Sequence, residues 1–167
     1  MRRTILNLLF GLLFLAGFGI LAYPTVSDQW NTYRQSRLIS DYEMAVSPLE
    51  EEDFEAVWEE AGNYNGTFEQ NSILSDVFGI DEAENIREPE YGKVLNVTGN
   101  GIMGYLSIPK INIKLSIYHG TSDEVLDTGV GHLNGTKLPI GGEGNHSVLS
   151  AHRGLPSAKL FTDIDQL

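Results

Sequence analysis

Four histidines, His119, His132, His146 and His152, are the side chains best suited to move protons near neutral pH. His146 and His152 bracket the run His-Ser-Val-Leu-Ser-Ala-His, which reads as a strand with His146, Val148, Ser150 and His152 on one side. A histidine that ends a strand before a glycine-containing loop, here Arg153-Gly154, is well placed to face a cleft. The sequence holds 0 Cys, so a thiol nucleophile, a disulfide or a zinc–thiolate site is absent from these residues. No His-Glu-x-x-His, Gly-x-Ser-x-Gly or phosphate-loop pattern occurs, and no metal site or cofactor is read. Gly99, Gly101 and Gly104 have dinucleotide-loop spacing but lack a parallel βαβ setting, so that match is discarded. The acidic run Glu50 to Asp53 lacks calcium-loop spacing and reads as a solvated helix face.

These side chains need a scaffold, and the chain offers a folded one behind an apolar leader. It has 167 residues, a formal charge of −12 and 41% hydrophobic residues, enough for about one domain. The acidity argues against nucleic acid as a partner, because phosphate binding needs clustered Lys and Arg. Arg2 and Arg3 precede Ile5 to Ala22, which contains no charge. As a helix those residues span about 27 Å, close to the ~30 Å hydrocarbon thickness of a bilayer. The two arginines place that end in the cytoplasm and the remainder outside the membrane. Pro24 is expected to end this helix, with Tyr23 at the interface. The apolar run is longer than a usual signal peptide core and has a poor small-x-small site, which favours an uncleaved anchor.

Beyond Arg3 the chain carries nine bases against 23 acids, hence −14, and 16 of the acids fall between Asp41 and Glu90. A helix is predicted from Ser27 or Asp28, carrying Trp30, Tyr33, Leu38 and Tyr42. A second is predicted with Ser47 as N-cap, Pro48 at the first position, Glu50 completing a capping box and Gly62 as the stop. Phe54, Val57, Trp58 and Ala61 give it one apolar stripe. From Asn63 to Gly92 the pattern is irregular, a length that often marks a lid. From Lys93 onward the texture is β: Ile102 to Ile108, Ile111 to Tyr118 and His146 to His152 as strands, with a helical turn at Asp123 to Leu126. Short strands with Gly-rich turns point to a barrel or sandwich. Three Asn-x-Thr sequons, at Asn65, Asn96 and Asn134, are taken as chance matches.

The string from Met103 through Tyr-His-Gly-Thr-Ser, Gly-Val-Gly-His-Leu, Leu-Pro-Ile-Gly-Gly and Ser150-Ala151-His152 to Asp165 closely resembles the class C sortases. These are the pilin-polymerising cysteine transpeptidases of Gram-positive bacteria. The resemblance implies a mainly β fold, a sortase-type β-barrel preceded by a transmembrane helix and an α-helical neck with a lid loop. It divides the chain into an anchor (1–24), a helical neck (25–62), a lid or linker (63–92) and the first part of the barrel (93–167). It implies His152 as the catalytic general acid/base, with His119, His132 and His146 structural. It implies a lid bearing Asp76 and Phe78, with Val77 where the family has Pro, so that closure is expected to be less rigid. The implied partners are pilin subunits carrying LPXTG-like sorting signals, resolved by a Lys amine, at the cell membrane and without a cofactor. The family's Cys and Arg belong beyond Leu167, so these residues alone are expected to be inactive. The alternatives are a truncated, catalytically inactive membrane-tethered module, or a sortase that anchors surface proteins to the cell wall.

Overall fold

The computed structural model describes residues 2–66 and 90–167. Helix α1 (Arg2–Val46) is one unbroken helix of 45 residues with Pro24 inside it. The expectation that Pro24 ends the helix is therefore corrected. A proline forfeits one ladder hydrogen bond at about 3 kcal/mol. The turns that follow are held independently, since Ser27 Oγ donates to Ser157 O (3.0 Å) and Asp28 Oδ1 accepts from Lys159 N (2.8 Å). The N-terminal part of α1 includes an 18-residue window of mean hydropathy 2.4, none of it buried by protein. Farther along, Gln35 and Ile39 are buried against the domain.

Helix α2 (Glu51–Gly66) begins later and ends later than expected. Ser47 is not its cap, because Ser47 N still donates to Glu43 O (2.9 Å) at the end of α1. Glu50 takes the capping position: its carbonyl accepts from Phe54 N (3.2 Å), and Asp53 Oδ2 accepts from Glu50 N (3.1 Å). Three acids in the first turn, Glu51, Glu52 and Asp53, suit the positive end of the helix dipole. Gly62 is passed through. The turn after it earns its place by burying Asn65, whose Oδ1 accepts from Leu138 N (2.6 Å) and whose Nδ2 donates to Leu138 O (3.2 Å). Of the expected stripe, Ala61 is buried and Val57 packs on the core, whereas Trp58 stays half-exposed.

Strands β1 (Ile102–Ile108) and β2 (Ile113–His119) form an antiparallel pair with a register shift between Ile102 and Gly104. A 3-10 turn, Pro109–Ile111, joins them, and Asn112 sits in the left-handed region at φ 52°. The predicted second strand thus loses Ile111 to this turn, because Pro109 fixes the helical φ that starts it. Helix α3 (Asp123–Thr128) then returns the chain so that β3 (Val130–His132) runs parallel to β2. Strand β4 (Leu149–Ser150) pairs antiparallel with β3, and β5 (Arg153–Leu155) and β6 (Ala158–Leu160) form a separate hairpin. The sheet is therefore mixed, in the order β1-β2-β3-β4, and it is not closed among the described residues.

The strand predicted over His146 to His152 contracts to Leu149–Ser150. Its earlier residues bond to a turn instead: His146 O accepts from Lys137 N (3.3 Å), and Val148 N donates to Thr136 Oγ1 (3.2 Å). The core gathers Ala61, Tyr91, Val94, Met103, Leu115, Ile117, Val130, Leu138 and Leu160. Between β2 and β3 the chain passes so closely that a Cβ on Gly131 would lie 2.4 Å from Gly120 O. We expect Gly131→Ala to cost about 1–3 kcal/mol, the usual range for overpacking. A lowered chemical-denaturation midpoint would show it.

Candidate active site

His152 lies between β4 and β5. Its backbone carbonyl accepts from Phe161 N (3.1 Å), which ties it to the residue after β6. Its Nε2 lies 3.4 Å from Asp127 Oδ1, with the two side chains 38% and 65% exposed. At that distance and exposure the pair adds little stability, so its effect is to bias ring orientation. The opposite ring nitrogen, Nδ1, makes no hydrogen bond among the described residues. Arg153 is turned to Asp165 (3.0 Å) and both side chains are 59% exposed.

Asp127 is positioned by α3 and by the neck. Ser122 caps α3 by accepting from Val125 N (3.4 Å). The other end is held by the buried Gln35, whose Nε2 donates to Thr128 O (2.5 Å) while its Oε1 accepts from Ser116 N (3.0 Å). A single amide in α1 thus bridges β2 and the carbonyl next to Asp127. Gly129 permits this, since a Cβ there would meet Ser116 O at 2.8 Å and Gln35 Nε2 at 3.4 Å.

The remaining histidines do not join His152. His132 is fully buried. Its Nε2 lies 2.9 Å from Lys137 O and must donate to it, so in the neutral ring Nδ1 accepts from Tyr91 O–H (2.8 Å). Tyr91 O–H also approaches His132 O (3.0 Å) and accepts from Gly120 N (2.9 Å). Burial pushes the His132 pKa down and the Tyr91 pKa up, which keeps both groups neutral. His119 packs edge-on against Tyr91 at 5.0 Å, with its ring nitrogens on Gly101 O (3.1 Å) and Val94 O (2.9 Å). His146 is exposed. The expected alignment of His146 and His152 along one strand is thus corrected, because only Leu149 and Ser150 are extended into the ladder between them. Asp76, Val77 and Phe78 lie outside the described residues. Among the described residues, no three His, Asp or Glu side chains converge on one point.

The lowered His132 pKa has a stability consequence. The folded ring binds a proton less readily than the unfolded one, whose pKa is about 6.5. Stability is therefore complete above that value and is lost as pH falls below it. Denaturation midpoints should drop from pH 8 to pH 5, and His132→Gln should flatten that dependence.

Sequence reasoning singled out His152 but not Asp127, Gln35 or Tyr91. An uncharged amide on the domain side of a helix was the available signal for Gln35. Nothing local marks Asp127, whose role arises from the β2–α3–β3 crossover.

The family model described as the sortase domain matches residues 106–167. Among solved structures, sortase C1 of Streptococcus agalactiae is 45% identical over 78% of this chain and 65% of its own, with a TM-score of 0.67. A Streptococcus pneumoniae sortase C, described as informing catalysis and pilin substrate specificity, is 36% identical over 78% of this chain and 63% of its own, with a TM-score of 0.61. Sortase C1 of the GBS Pilus Island 1 is 36% identical over 80% of this chain and 60% of its own, with a TM-score of 0.62. The chain thus spans less than two thirds of the length of these relatives. No curated protein matches.

Proposed function

The chain belongs to the sortase family, and on that premise we propose that it supplies the general acid/base of a class C, pilin-polymerising transpeptidase. The observation that carries this reading is His152 itself. It stands half-exposed at the end of β4 within the matched segment 106–167, with Nε2 on Asp127 and Nδ1 unengaged by any hydrogen bond among the described residues.

In this reading a thiolate from outside the 167 residues, paired with a protonated His152, attacks the carbonyl of an LPXTG-like sorting signal. The thioester forms as the peptide C–N bond breaks, and His152 gives its proton to the leaving amine. A Lys amine of the next subunit then forms the new C–N bond as the C–S bond breaks, the neutral imidazole takes the amine proton, and the thiolate is released. An imidazole suits both directions because it can donate a proton from one ring nitrogen and accept one at the other. Asp127 orients the ring, and α3 with Gln35 holds Asp127. The lid role proposed for Asp76 and Phe78 concerns residues outside the described part of the chain. Residues 5–22 of α1 span the cell membrane, with Arg2 and Arg3 cytoplasmic and the domain outside.

The test mixes the thiol-bearing whole protein with purified pilin subunits and, separately, with a cell-wall precursor amine. Ladders of subunits joined through Lys support the proposal. Transfer to the wall precursor alone would replace it with the anchoring reading.

A further inference from the structure

The helix that would cross the membrane leaves no spacer before the domain. α1 continues without a break past Ala22, and the domain is fastened to it at once, through Ser27 to Ser157 O and Asp28 to Lys159 N. Ser27 lies five residues beyond Ala22, about 7.5 Å along the axis. That rise is about the depth of one headgroup layer, since a bilayer is ~40–45 Å thick around its ~30 Å hydrocarbon core.

The direction of the hairpin matters as much as its distance. The β5–β6 turn lies against the start of this zone, where Leu155 and Pro156 share a cleft with Pro24, Thr25 and Gln29. Farther along β6, Leu160 shares a groove with Gln35 and Ile39 instead. The turn is therefore the end of the hairpin nearest the apolar window, and β6 climbs away from it alongside α1. The opposite face of α1 presents Tyr23, Val26 and Trp30, which are 55%, 64% and 63% exposed. Aromatic residues bordering an apolar span are the composition of an interfacial belt.

We propose that the β5–β6 turn, Leu155 to Ser157, rests on lipid headgroups beside the exit of α1, so that His152, three residues before the turn, stands no more than about 10 Å above the membrane surface. The lipid surface is the occupant because Pro24 and Thr25, which share the cleft with Leu155 and Pro156, follow the apolar run that ends at Ala22 by two and three residues. This placement rests on the reading of residues 5–22 as a bilayer span. A sorting signal would then be processed as it emerges from the membrane, not at the end of a flexible stalk.

The chain contains no Cys, so single labels can be placed cleanly on the full 167 residues. Leu13→Cys, Pro156→Cys and Ser47→Cys would each carry an environment-sensitive fluorophore in phosphatidylcholine/phosphatidylglycerol vesicles, with circular dichroism confirming unchanged helix content. Ser47 lies 20 residues beyond Ser27, about 30 Å farther along the helix direction. The expected result is that acyl-chain spin labels quench position 13. Headgroup spin labels should remove most of the emission at position 156 and leave position 47 unchanged. Quenching at 13 with equal, weak quenching at 156 and 47 would overturn the seat and leave the span standing. No quenching at 13 would overturn the span and the seat with it. Emission at 156 that follows protein concentration in place of lipid would assign the turn to a second copy of the chain, also overturning the proposal.

Discussion

Under the proposed function, replacing His152 with Asn in a thiol-bearing form of the enzyme is expected to lower kcat/KM for sorting-signal cleavage by about 10²–10⁴-fold, the range for loss of a positioned general acid. Asparagine keeps a polar side chain of similar reach and cannot transfer a proton at neutral pH. His152 is partly exposed and outside the buried core, so the substitution should leave the denaturation midpoint nearly unchanged. That separates a chemical effect from a folding one. Asp127→Asn provides the graded comparison. Asp127 meets Nε2 at 3.4 Å from an exposed position, so removing its charge should cost far less than removing the ring. Gln35→Leu should resemble Asp127→Asn in rate and be more destabilising, because it strips partners from Ser116 N and Thr128 O. Steady-state cleavage of a fluorogenic peptide reads all three. Equal losses for His152→Asn and Asp127→Asn would contradict the assignment of the proton to the ring.

Tyr91→Phe is expected to be among the most destabilising single-atom changes in the domain, at about 2–6 kcal/mol, because it leaves two buried groups unpaired at ~1–3 kcal/mol each. The hydroxyl accepts from Gly120 N and donates to His132 Nδ1. Phenylalanine keeps the ring contacts with Tyr64 and His119, so the loss belongs to hydrogen bonding and not to a cavity. His132→Gln alone removes the ring, and the double variant should cost less than the sum of the two single changes, as expected for members of one network. Denaturant titration with an unchanged m-value would show that the native state alone is affected. A loss below ~0.5 kcal/mol for Tyr91→Phe would mean that water or a rearranged turn satisfies Gly120 N and His132 Nδ1.

The parts of the fold legible in the sequence are those set by local periodicity. The alternation of Ile113, Leu115 and Ile117 against Lys114 and Ser116 places β2, and Leu115 and Ile117 are buried. Ser116 is buried too, against that pattern, because Gln35 reaches across to its backbone N–H. Helix ends were less legible. Pro24 and Gly62 are the strongest local stop signals in their segments, yet contacts made far away in sequence, at Ser157, Lys159 and Leu138, hold the helix on past both. β4 is shorter than the alternation implies for the same reason: His146 and Val148 find turn partners at Lys137 and Thr136 that no alternation pattern reveals.

At the candidate site, the resemblance of the surrounding string is what singles out His152. Its neighbour Asp127 was not, since 25 residues separate them and only the parallel crossover brings α3 to β4. The separation of His132 from His152 was likewise invisible in composition. It follows from burial, which makes one ring a neutral structural member and leaves the other on the surface.

In the proposed function His152 serves a thiol that these 167 residues do not contain. Incubation of the 167-residue chain with a fluorogenic LPXTG peptide reads that dependence. No cleavage above the peptide's own background is expected, at any pH and with or without a Lys-like amine. Amine-dependent turnover by this cysteine-free chain would contradict it, because the chemistry would then need no thiol.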